Sequence, residues 1–185
     1  MKRTYSKELI LEKAILLSKE VGFQKLTMRN LAKRLGCSVM PIYDCFISKD
    51  VLLEEIYCTI IKEQTHVQGY FKRNEAILLQ GINNPIFYRD MRMFGAKVYD
   101  FDLLYEDTIS MMQSENRLTG FSERACKSLH FDLSVYITGM IERQLNKIYN
   151  IEDFETFCIN TLRQFTEVLI MGYEQGILIE EGDHF

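Results

Sequence analysis

The stretch from Leu26 to Lys49, LTMRNLAKRLGCSVMPIYDCFISK, leaves the chain around it little choice of fold. Thr27 is a good helix N-cap, because its hydroxyl can accept from a first-turn N–H that has no partner along the helix. Leu31 and Leu35 repeat at i and i+4 with Ala32 beside them, which gives one apolar face. Arg29, Asn30, Lys33 and Arg34 keep the rest of that helix polar and basic. Gly36 then ends it sharply, since glycine takes positive φ at no steric cost. Ser38 is the expected N-cap of a second helix, which puts Pro41 on its third position. First-turn N–H groups lack intrahelical partners, so a proline there sacrifices little. Ile42 and Phe46, four apart, supply the buried face. Two short helices joined by a tight glycine turn have the form of a groove-reading helix-turn-helix.

A longer run, Ala14 to Ile56, resembles the DNA-binding head of the tetracycline-repressor (TetR) family. The shared elements are a helix ending in VG, then LT, LA, an LG turn, a recognition helix ending in Y-x-x-F, and SK-x-x-LL. The resemblance covers roughly a quarter of the chain and implies its architecture. That is an all-α fold with a three-helix head and a helical body for ligand binding and dimerisation. It also implies residue roles. Thr27, Arg29, Tyr43 and Lys49 would clamp phosphates, and Ser38, Val39 and Met40 would face base edges. The helix that starts at Lys49 would relay ligand binding from body to head. Asp44 and Cys45 depart from the pattern, which often has basic, aromatic or histidine residues there. An aspartate at that place would repel phosphates, accept from a cytosine amino group, or pair with a nearby Lys or Arg. The residues alone leave these three open.

Charge supports the same division. Up to Lys49, ten Lys and Arg stand against Glu8, Glu12, Glu20 and Asp44, a surplus of +6. The remainder, with 12 basic and 22 acidic residues, carries −10. A nucleic-acid contact is therefore expected on the first part and not on the second. The expected domains are 1–49, the DNA-binding head, and 50–185, the helical body.

Helical periodicity continues to the end. Ser6 is the expected cap of a first helix that Gly22 stops, and Ser48 of a helix running to about His66. A short helix is expected over Arg73–Gln80, another from Pro85 to about Phe94, and an irregular one over Lys97–Gln113. Two long helices, Phe121–Asn150 and Asp153–Gln175, complete about nine. No alternating strand stands out. No apolar run approaches the ~20 residues of a membrane span, and MKRTYSKELI has no apolar core of a secretory signal, so a cytoplasmic protein with no membrane contact is expected. Five scattered cysteines without a C-x-x-C pair read as reduced thiols, and three distant histidines give a metal site little support.

The body is rich in aromatics and methionines that can form a core or line an adaptable pocket. Phe87, Tyr88, Met91, Tyr99, Met112, Phe131 and Tyr136 are the candidate pocket residues. Along the last helix Phe157, Thr161, Phe165, Val168, Leu169 and Gly172 form a stripe with small residues interspersed, a candidate dimer interface. Paired carboxylates, nucleophile signatures, phosphate loops and metal spacings are all missing, so neither an enzyme nor a cofactor is expected. The expected function is a ligand-responsive regulator, a repressor that binds a palindromic DNA operator as a homodimer and answers to an unknown small-molecule effector. The alternative is a regulator-like helical protein that has lost specific DNA binding and acts through protein contacts.

Overall fold

Caps written into the sequence set most of the helix starts. In a computed structural model, which describes residues 5–98, 101–146 and 152–178, the Ser6 hydroxyl accepts from the Leu9 N–H and starts α1 (Lys7–Val21). Thr27 accepts from the Asn30 N–H while Asn30 accepts from the Thr27 N–H, a capping box that starts α2 (Met28–Leu35). Gly36 closes α2 in the left-handed region, φ 68°. α3 spans Met40–Cys45, and the Ser48 hydroxyl starts α4 (Lys49–Thr65). The remaining helices are α5 (Tyr70–Asn83), α6 (Pro85–Val98), α7 (Phe101–Gln113), α8 (Glu123–Leu145) and α9 (Phe154–Glu174). Single 3-10 turns lie at Phe23–Lys25 and Asn116–Leu118. The fold is all-α, with nine α-helices and no strand among the described residues.

Two expectations about local structure need correction. Val39, not Ser38, occupies the N-cap of α3: its carbonyl accepts from the N–H groups of Ile42 and Tyr43, both at 3.1 Å. The Gly36 turn, closed by Cys37 N–H donating to the Ala32 carbonyl, leaves Ser38 still in the connection. Pro41 consequently falls on the second helical position, where its missing N–H costs as little. α5 is also longer than Arg73–Gln80, because Tyr70 is buried and its N–H donates to the Glu115 carboxylate at 2.5 Å.

The chain divides into two compact units, one comprising residues 1–66 and 86–98, the other 67–85 and 99–185. In the first, α1 packs on α2, α3 and α4 around Ile10, Ala14, Leu31, Ile42, Phe46, Leu52 and Ile56, all fully buried. α6 belongs here too. Phe23 sits edge-on to Phe87 and Phe94, with ring centroids 5.8 and 5.3 Å apart. The division expected after Lys49 thus falls inside this unit, since α4 buries Leu52, Leu53 and Ile56 in the same core as α1. A tie across α1 and α4 adds to this: Lys7 Nζ lies 2.5 Å from Glu55 and over the Phe46 ring.

In the second unit α5, α8 and α9 pack on one another, and α7 lies against α5 and α8. Leu78, Cys126, Leu129, Leu133, Cys158 and Leu162 are its buried centre. Tyr70 Oη is 2.9 Å from His130 Nδ1, which satisfies a buried phenol across α5 and α8. Asp153 caps α9 by accepting from the Thr156 N–H, from a left-handed backbone (φ 53°) that aspartate tolerates better than most residues. None of the described helices is long and apolar enough to cross a membrane.

Candidate nucleic-acid interface

α2 and α3 sort their side chains by burial. Met28, Leu31 and Ala32 on α2 and Ile42 on α3, followed by Phe46, point inward. The opposite sides are open. Thr27, Arg29 and Lys33 around α2 are exposed, as are Ser38, Met40, Tyr43 and Asp44 along the turn and α3. Met40, Tyr43 and Asp44 stand at i, i+3 and i+4 and so share one face. Val39 is half-buried beside them. Of the eight candidate DNA-contacting residues, Thr27, Arg29, Ser38, Met40, Tyr43 and Asp44 are thus exposed, and Val39 and Lys49 are half-buried.

Lys49 is the first residue of α4, and its Nζ donates to the Gln24 carbonyl at 2.8 Å. It thus ties α4 to the turn after α1. Other basic groups are also engaged. Arg34 grips Glu20 with two hydrogen bonds at 2.6 and 2.9 Å, which hold its guanidinium pKa above the ordinary value. Asp44 has no ion pair among the described residues, so the intramolecular pairing left open by the sequence is not found there. Ile47, which sequence reasoning passed over, is 82% exposed at the end of α3. Only its apolar character next to the buried Phe46 could have marked it.

The candidate pocket residues are divided between the two units. Phe87, Tyr88 and Met91 are buried in the first unit, on α6. Met112, Phe131 and Tyr136 are in the second: Met112 is fully buried, Tyr136 stacks on Phe165 at 4.7 Å, and Phe131 is exposed. Tyr99 lies outside the described residues. The second unit instead has a cleft of about 170 Å³ between α5, α9 and the Asn116–Leu118 turn. Asn74, Leu162 and Thr166 line it, with Arg117–Glu167 and Arg163–Glu75 ion pairs at its rim. Asn74 is 6% exposed, and its amide nitrogen has no hydrogen-bond partner among the described residues. No sequence signal marks that position.

The expected dimer stripe also splits. Phe157 and Val168 are exposed and Thr161 and Phe165 half-buried, but Leu169 and Gly172 are buried within the chain. Gly172 packs against Leu178, which an added Cβ would meet at 2.7 Å. The outward apolar row consists of Phe157, Val168 and Met171 on α9, with Phe131 and Val135 exposed on α8.

Residues 10–56 match the bacterial regulatory proteins of the tetR family. Two solved structures of TetR from Acinetobacter baumannii AYE resemble the whole chain. A single-substitution variant in complex with minocycline is 21% identical, with a TM-score of 0.58, over 96% of this chain and 99% of that one. A second TetR structure is 21% identical, with a TM-score of 0.57, over 92% of this chain and 97% of the other. No curated protein matches the chain in sequence. The N-terminal part of the chain, residues 10–56, is thus similar to the bacterial regulatory proteins of the tetR family, and the all-α fold as a whole is similar to that of the two solved TetR structures.

Proposed function

We propose that this chain is a ligand-responsive transcriptional repressor that binds a palindromic DNA operator as a homodimer. The observation that carries the reading is the open side of the head. Met40, Tyr43 and Asp44 on α3 and Arg29 and Lys33 on α2 are exposed, and the sequence to Lys49 carries +6. One such head presents a single short reading helix of six residues, too little surface for a specific site. Two copies related by a two-fold axis read two half-sites and multiply the contact. The exposed row of Phe131, Val135, Phe157, Val168 and Met171 on two long helices supports pairing through α8 and α9.

The effector is a small amphipathic molecule held by the body. Asn74 supports this, because a buried amide nitrogen without a partner among the described residues is a place where a ligand acceptor gains a hydrogen bond at no competing cost. Volume limits the occupant. At about 170 Å³ the cleft takes less than a drug-sized molecule, whose pockets run to about 300 Å³ or more. To release DNA, the effector has to bind one arrangement of the heads better than the other.

Binding of the full chain to a random duplex pool, followed by sequencing of what is retained, tests the reading. Enrichment of an inverted repeat with two half-sites is expected. A pool returned unenriched at low salt would rule out the operator and favour a role in protein contacts.

A further inference from the structure

The chemistry of α3 limits which bases can face it. Its exposed face offers Met40, 63% exposed, then Tyr43 and Asp44, with Ile47 beyond the last turn. No Arg, Lys, Asn or Gln occurs from Cys37 to Ile47. Guanine is read by paired donors from Arg or Lys on O6 and N7, and adenine by the Asn or Gln amide on N6 and N7. This face has neither. Its donors are the single hydroxyls of Ser38 and Tyr43, which cannot make a two-bond pair with a purine edge.

Two kinds of contact remain. Met40 and Ile47 present methyl groups that fit the 5-methyl of thymine. An ionised Asp44 only accepts, and the cytosine 4-amino group donates with no acceptor next to it on that edge. Adenine also has an amino group, but its N7 lone pair lies alongside and repels a carboxylate. Phosphates repel Asp44 as well, so a carboxylate on this face lowers affinity for DNA in general unless a base repays it.

We propose that each operator half-site turns pyrimidines towards α3, with thymine methyls against Met40 and Ile47 and a cytosine amino group on Asp44. The proposal rests on the operator-binding reading above and adds the class of base read. Chemical editing of the duplex tests it. From the enriched site, duplexes are made with uracil for individual thymines, which deletes only the 5-methyl, and with N4-methylcytosine for individual cytosines. Affinities are measured at one fixed salt concentration. Loss of about fourfold per contacted thymine is expected. Met40→Ala should abolish the response to uracil at one position, and Asp44→Ala, which leaves no acceptor, the response to N4-methylcytosine. Both side chains are exposed, and circular dichroism verifies that the variants fold. An enriched site indifferent to both edits would overturn the base assignment and leave operator binding intact. A chain that enriches no site would remove both.

Discussion

Lys49 already has one partner within the chain, the Gln24 carbonyl. Its ammonium group also stands at the N-terminus of α4, where unpaired N–H groups and the helix dipole suit a phosphate. Lys49→Ala should weaken operator and random DNA about equally, and flatten the salt dependence by roughly one phosphate equivalent. Titrations at several salt concentrations decide: an unchanged slope would mean that the lysine only fastens α4. Thiol chemistry gives a second residue-scale outcome. Burial pushes the Cys158 thiol up to about 11, so at pH 8 it is almost wholly protonated and unreactive. Cys58 is exposed. A thiol reagent at pH 8 should label Cys58 in the folded chain and Cys158 only after unfolding, as peptide mass spectrometry can follow.

At the scale of elements, α2 is eight residues long and has little to hold it except its cap and its buried face. Thr27→Ala removes the hydroxyl half of the capping box, leaving the backbone N–H on Asn30, and should cost about 1 kcal/mol in urea unfolding without DNA. Thr27→Ser keeps the hydroxyl and should cost much less. If the two variants melt alike, the cap contributes nothing. The contact between the Phe23–Lys25 turn and α6 is larger. Phe23→Ala removes a fully buried ring from between Phe87 and Phe94, and a loss of about 3–5 kcal/mol is expected.

For the whole molecule, the decisive question is what covers the outward row on α8 and α9. Val168 is 65% exposed, so Val168→Glu should leave a monomer folded while placing a charge in a two-fold interface. Light scattering at micromolar concentration is expected to show a dimer for the native chain and a monomer for the variant. Operator affinity should fall with it. An unaltered dimer would move the interface elsewhere.

What the sequence determined alone was local. Ser6, Thr27 and Ser48 cap their helices as their residue types require, Gly36 turns left-handed, and the period of 3.6 marks the helices, because each depends on atoms only a few residues apart. The start of α3 slipped by one residue, since the Gly36 turn, closed by the Cys37 N–H on the Ala32 carbonyl, leaves Ser38 in the connection and Val39 as the N-cap. Tertiary structure decided everything that needs a neighbour. α9 is apolar on more than one side, and periodicity cannot say that Leu169 and Gly172 face inward while Val168 and Met171 face out. In the same way it could not place Phe131 outside and Met112 inside, leave the Asn74 amide nitrogen buried without a partner among the described residues, or gather α6 with the head helices. An apolar stripe states that something must cover it; only packing says what does.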